Sequence, residues 1–227
     1  MERWHALGNV YLLTTAELTA EDVRALVGDA DGIVQVLASG PDWADVVIWN
    51  PDGSTAEMSG NATRIVARWL ADATGAEVVT VRVGEREVRA RIVHHAEIEQ
   101  DLGSFEVAEP EEIDGLRVTC VSVGNPHAVV IGDPADIRRI GPLLETHPRF
   151  PQRTNVQVAR LDDDGGVTAR VWERGVGETS ASGTSAVAVA AATRGDGRVV
   201  VHFPGGDLHV ELEGGRATVR GPAERLE

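Results

Sequence analysis

Two serines, Ser59 and Ser182, each precede a glycine and a small polar residue where the pattern reads as the opening of a helix: Ser59-Gly60-Asn61 and Ser182-Gly183-Thr184. A helix opening leaves backbone N–H groups unpaired and carries a partial positive charge, so it suits a small anion such as a carboxylate. Two such openings facing each other would clamp one carboxylate, with a hydroxyl on either side of whatever is held. Ordinary N-capping explains either serine alone. It does not explain the pair, because the surroundings repeat as well. Trp49 and Trp172 each end an alternating apolar strand, a loop containing glycine follows, and Val66-Ala67 answers Val189-Ala190, all at a constant offset of 123 residues. The sequence reads as an internal duplication.

The elements that must position these serines follow from the same pattern. Trp4 to Leu13 predicts a strand bent at Gly8-Asn9, and Thr19 predicts the cap of a short helix with Val23, Leu26 and Val27 as its apolar face, closed by Gly28. Ile33 to Leu37 and Asp45 to Trp49 alternate as strands, and Asn61 to Ala71 predicts a helix with Ile65, Val66, Trp69 and Leu70 on one face. Val79 to Val83 and Val88 to Ile92 predict a hairpin. The acidic run from Glu109 to Gly115 reads as a linker. Beyond it the plan restarts: Leu116 to Val123 reaches Gly124-Asn125, echoing Gly8-Asn9, and Ala128 to Ile131 continues the strand. Pro134 to Leu144 contains a short helix. Asp162-Asp163-Asp164-Gly165-Gly166 reads as a hairpin tip without the twelve-residue spacing of a calcium loop, so no metal site is expected. Strands at Arg198 to Phe203, Leu208 to Leu212 and Ala217 to Val219 close the chain. Many strands, few helices and a duplicated plan predict an α+β fold of two similar domains, 1–113 and 114–227, each a sheet or barrel around one helix.

Composition narrows the chemistry. The chain has 227 residues and a net charge of -15, which argues against nucleic acid and anionic membrane as partners. No long apolar window and no leader pattern occur, so a cytoplasmic protein is expected. One cysteine, Cys120, rules out a disulfide framework and a multi-thiolate metal site, and its place in a strand predicts a buried apolar role. All 21 basic residues are arginine. Without lysine there is no Schiff-base residue for pyridoxal phosphate, no P-loop lysine and no Ser-x-x-Lys hydrolase.

These blocks, in order, resemble the diaminopimelate epimerase family: Ala6-Leu7-Gly8-Asn9, Ala30-Asp31-Gly32, Asn50 through Asn61, Gly124-Asn125-Pro126-His127, Arg153-Thr154-Asn155-Val156 and Trp172 through Thr184, with Glu173 to Thr179 the most specific. The resemblance implies two similar halves with the substrate in a cleft between them, a last strand able to return to the first half, and no cofactor. It implies inversion of one α-carbon of LL-diaminopimelate to the meso form, a small amino-acid substrate as the partner, with a homodimer possible. Carried over by position, Asn9, Asn50, Asn125, Asn155 and Arg174 would hold the amino and carboxylate groups. Gly60-Asn61 and Gly183-Thr184 would bind the reacting carboxylate, and Glu173 and His127 would lie against the reacting centre.

The sequence departs from that family at its centre: both proton-transfer positions, cysteine in the family, are here Ser59 and Ser182. Val10-Tyr11 also replaces the usual Asp-Phe, and Gly32 stands where some members carry glutamine. A thiol titrates near 8.5 and an alcohol several units higher. The exchange removes on the order of 5 kcal/mol of driving force, roughly thousands-fold in rate, unless a base activates the hydroxyl. Glu173 and His127 are the sequence candidates for that base. Two other readings stay open: a lyase or isomerase step on the same scaffold using Glu173 or His127, and a catalytically silent amino-acid binder.

Overall fold

The chain begins with a hairpin because Leu7 and Gly8 both take positive φ (53° and 83°), the handedness that matches the twist of two tightly joined strands. Strands Glu2–Ala6 and Asn9–Thr14 pair antiparallel across this turn, with Trp4 opposite Tyr11. The structure, a computed structural model, describes residues 1–94 and 96–226. It divides into two compact units, Met1–Asp101 with Arg220–Glu227, and Leu102–Val219.

In the first unit Asn9–Thr14 runs parallel to Gly32–Ser39, and a parallel pair needs a crossover. Helix α1 (Ala20–Leu26) supplies it, started by a reciprocal capping box between Thr19 and Asp22. Val23 and Val27 pack with Ala30 and Ile33 in a small separate core, while Leu26, expected on the apolar face, is exposed. Gly32–Ser39 pairs antiparallel with Trp43–Trp49, which runs parallel to Val78–Val83; helix α2 (Gly60–Thr74) makes this second crossover. Arg86–Ile92 and Glu97–Ser104 continue the sheet antiparallel. The strands surround α2, whose Ala62, Ile65, Val66, Ala67 and Leu70 are buried against Trp4, Tyr11, Val34, Ile48 and Val81. Its alanines let the strands approach closely, and Gly75 in the left-handed region (φ 77°) ends it three residues beyond the expected Ala71. Strand Glu224–Arg225 pairs with Glu2–Ala6, and Ala223 is buried in the same core.

The second unit repeats the order of pairings. Leu116–Ser122 is antiparallel to Pro126–Ile131, which is parallel to Asn155–Leu161. Asn155–Leu161 is antiparallel to Val167–Glu173, itself parallel to Gly197–Phe203 and followed by antiparallel Gly206–Glu213. Helix α3 (Ile137–Glu145) makes the first crossover and packs Ile137, Ile140 and Leu144 on Val130, Val156 and Val158. Helix α4 (Gly183–Thr193) makes the second and is buried from Gly183 to Ala190. Each unit is therefore a mixed sheet around one buried helix, an α+β plan used twice.

Two expectations change. The run from Glu109 to Gly115 is not a bare linker: Glu111–Ile113 pairs with Leu116–Val118, across a turn in which Asp114 and Gly115 take φ of 50° and 77°. Its acidic residues hid one inward apolar side chain, Ile113. Cys120 is only half-buried; its thiol contacts the Glu111 carboxylate at 3.5 Å, and burial followed by that carboxylate pushes it up to about 11. It is an inert, protonated thiol in this setting.

Candidate functional site

Each unit has its own cluster at a helix opening. In the first, Ser59 is extended (φ -141°, ψ 118°) and its Oγ accepts from the Ala62 N–H at 3.2 Å, an N-cap as the sequence suggested. The same Oγ lies 3.2 Å from the Tyr11 hydroxyl. Gly60 and Asn61 form the first turn behind it, and the Asn61 Oδ1 accepts from the Arg64 guanidinium. Arg64 is fully buried, so its charge is penalised and its pKa falls to about 10, with Glu97 and then Tyr11 opposing the fall. Its Nε reaches the Pro222 carbonyl at 3.4 Å, and its Nη1 is buried without a hydrogen-bond partner.

The loop before this helix is built by its own polar groups. Asn50 Nδ2 donates to Ser54 Oγ at 2.9 Å, and Asp52 Oδ1 accepts from both the N–H and the hydroxyl of Ser54. Asn9 is buried at the start of its strand. Nearby, Asp31 Oδ2 accepts from the Val10 N–H at 2.7 Å and ties the first turn to the Gly32 strand; burial raises the pKa of this carboxyl, the Val10 bond opposes that rise and Asp29 adds to it.

In the second unit Asn125, His127 and Thr184 share one chain of hydrogen bonds, and Asn155 bonds the backbone at Pro126 and Arg174. Asn155 Nδ2 donates to the Pro126 carbonyl at 3.0 Å and its Oδ1 accepts from the Arg174 N–H at 2.9 Å. Gln157 Nε2 donates to His127 Nδ1 at 2.9 Å and to Ser185 Oγ at 3.0 Å. This assigns the His127 proton to Nε2, which donates to Asn125 Oδ1 at 2.9 Å. Asn125 in turn donates to Thr184 Oγ1 at 3.5 Å, reaching the first turn of α4. Glu173 Oε1 accepts from the Thr179 hydroxyl at 2.6 Å, and Arg174 Nη1 donates to the Gln152 carbonyl at 3.3 Å. Ser182 opens α4 in extended geometry (φ -149°) with no capping bond from its side chain, and Gly183 and Thr184 are buried behind it.

His127, a sequence candidate for the base, is buried with both ring nitrogens engaged, and burial lowers its pKa to about 3. The Arg174 charge adds to this fall. His127 is a neutral residue that holds Asn125.

Sequence reasoning missed four side chains that build these clusters. Tyr11 was legible only as a departure from a pattern, and Arg64 only as a charge on a helix. Gln157 left a signal: a polar residue between Val156 and Val158 in a strand with both neighbours buried. Glu145 left none. It is buried, and its carboxylate accepts from the Trp172 indole at 2.7 Å, the Gly175 N–H at 2.7 Å and the Arg153 guanidinium, fixing the backbone on either side of Asn155 and Arg174. Away from these clusters, Asp162, Asp164 and His202 each bring one potential metal-binding atom within 4.8 Å of the others. Thr168, Gly166 and Asp207 already hydrogen-bond to these three side chains.

Comparison with known proteins follows the same lines. Residues 119–225 match the sequence model of a family described as Diaminopimelate epimerase. A diaminopimelate epimerase of Pelotomaculum thermopropionicum is 37% identical, with 98% of this chain and 95% of the relative aligned. That of Desulforudis audaxviator is 39% identical over 99% and 96%. Among solved structures, a Pseudomonas aeruginosa protein described as a predicted epimerase superposes with a TM-score of 0.77 at 17% identity, covering 100% of this chain and 98% of that one. A hydroxyproline epimerase of Agrobacterium vitis, with bound trans-4-hydroxy-L-proline, gives 0.72 at 17% identity, covering 99% and 88%. At that identity the two structures bear on the fold alone.

Proposed function

The chain belongs to the diaminopimelate epimerase family and is an isomerase, and from that premise we propose that it inverts one α-carbon of LL-diaminopimelate without a cofactor. The observation that carries this reading is the 34–39% identity of three relatives named diaminopimelate epimerase over nearly the whole chain. The two helix openings agree with it: each begins with a serine followed by glycine, where N–H groups favour a carboxylate.

In this reading Ser59 and Ser182 carry the proton off and onto the α-carbon, and the N–H groups of Gly60-Asn61 and Gly183-Thr184 bind the carboxylate of the reacting end. Asn9, Asn50, Asn125, Asn155 and Arg174 hold the remaining amino and carboxylate groups. Glu173 lies beside the reacting centre. His127, neutral and doubly hydrogen-bonded, positions Asn125 and leaves proton transfer to others, which weakens any one-base lyase step built on it.

Incubation with LL-diaminopimelate in deuterated water is expected to give meso product carrying one α-deuterium. Saturable binding of the substrate with no deuterium incorporated, even at high protein concentration, would make the chain a binder and overturn the proposal.

A further inference from the structure

Ser59 has a partner that Ser182 lacks. Its Oγ is 3.2 Å from the Tyr11 hydroxyl, in addition to capping Ala62. Tyr11 is the only tyrosine of the chain. Its ring lies in the core, 8% exposed, and the space it fills exists because residue 32 has no side chain. A Cβ at Gly32 would stand 2.9 Å from Tyr11 Cε1 and 2.4 Å from the Trp49 carbonyl. The strand register places Tyr11 opposite Gly32, so the vacancy and the ring are parts of one arrangement.

The buried Arg64 is the cation that acts on that phenol. The buried Arg64 guanidinium gives its hydrogen bonds to two neutral acceptors, Asn61 Oδ1 and the Pro222 carbonyl, and one of its nitrogens has no partner. Among the groups whose charge acts on Arg64 are Glu97 and Tyr11. The coupling is mutual: a cation favoured by a phenolate favours that phenolate in return. A phenol starts near 10, several units closer to neutrality than an alcohol, so it is the stronger of the two hydroxyls as an acid and a workable base once ionised.

Resting on the epimerase reading above, we propose that Tyr11 activates Ser59: the Tyr11 phenolate takes the Ser59 hydroxyl proton while Ser59 Oγ accepts the α-proton of the substrate. The Cα–H bond breaks and its electron pair stays on the α-carbon. A new O–H bond forms at Ser59, the old one breaks, and the phenolate becomes a phenol. No oxidant or second reactant enters. Tyr11 acts through Ser59 and is a positioning and relay residue, while Ser59 touches the reacting carbon. The tyrosine–serine pair thereby takes the place of a single acid near the thiol range.

The test is a cycle of four proteins: the natural chain, Tyr11→Phe, Ser59→Cys and the double variant. Phenylalanine keeps the ring that fills the Gly32 vacancy, so folding is retained. α-Deuterium incorporation from LL-diaminopimelate is expected to fall by about a hundredfold on Tyr11→Phe with serine at 59, a usual size for losing a positioned acid or base. With cysteine at 59 the same substitution is expected to have an effect at least about tenfold smaller, because a thiolate needs no relay. An equal loss in both backgrounds, or no loss with serine, overturns the inference alone. No deuterium in any of the four proteins, the Ser59→Cys chain included, overturns the epimerase reading and the inference with it. A second readout needs no substrate. Tyrosinate absorbance reports Tyr11 alone, and Ser59→Ala should move its inflection to higher pH by removing the hydroxyl that would donate to the phenolate. An unmoved curve rejects the coupling.

Discussion

His127 carries no charge in the folded protein, and this has a measurable consequence. An unfolded histidine takes up its proton near 6.5, whereas this one does so only at about 3. Between those values the unfolded chain binds more protons than the native one. The histidine's contribution to stability is therefore complete above pH 6.5 and is lost as pH falls through the window toward 3, at up to about 1.4 kcal/mol per unit. Urea unfolding at pH 7 and pH 5 should show the natural chain losing on the order of 2 kcal/mol more than His127→Gln, which has no such proton to gain. Identical losses in the two proteins would mean that the ring is solvated and free to charge in the native state. At the same scale, Ser59 and Ser182 are alike in sequence context but not in surroundings. One caps its helix and meets a phenol; the other makes no capping bond.

At the scale of elements, α3 is held to the sheet by a glycine that sequence patterning did not single out. A Cβ on Gly141 would fall 2.6 to 2.8 Å from Trp172 Cγ, Cβ and Cδ2, closer than real side chains approach. Alanine ordinarily favours a helix over glycine by about 1 kcal/mol. Here the rigid indole must shift instead, and Gly141→Ala is expected to destabilise the chain by roughly 1–3 kcal/mol. Shifting the indole also strains its bond to Glu145, which holds Gly175 beside Arg174. KM for the substrate should then rise along with a lower melting temperature. An increase in melting temperature would show that helix propensity prevails and the contact is loose. These elements also mark what was legible. Alternation revealed the strands, and small apolar periodicity with a serine before glycine revealed α2 and α4, because those signals are local. Glu145 was opaque because nothing around it in sequence tells that Trp172, Gly175 and Arg153 converge on its carboxylate. The strand at Glu111–Ile113 was opaque because two glutamates, one half-buried and one exposed, outweighed one inward isoleucine.

At the scale of the whole chain, the last residues complete the first unit: Arg220–Glu227 belongs with Met1–Asp101. The Ala223 N–H donates to the Ala96 carbonyl at 3.0 Å and the Leu226 N–H to the Arg3 carbonyl at 2.8 Å. Ala223 itself is buried beside the core that surrounds α2, and the adjoining Pro222 carbonyl accepts from Arg64. A helix whose opening carries Ser59 is thus finished by residues more than 150 positions later, since Arg64 and Pro222 are 158 apart. Closing so long a loop is entropically unfavourable, so this contact should form late and be lost early. Ala223→Asp places an unpaired carboxylate in that core and should destabilise the first unit by about 3 kcal/mol or more. Amide exchange separates a local from a global effect. Val34 and Val66 should lose protection in the variant, while Val158 and Val189, in the second unit, keep most of theirs. Equal loss at all four would mean that the two units unfold as one cooperative body, and the division of the chain would then carry no thermodynamic meaning.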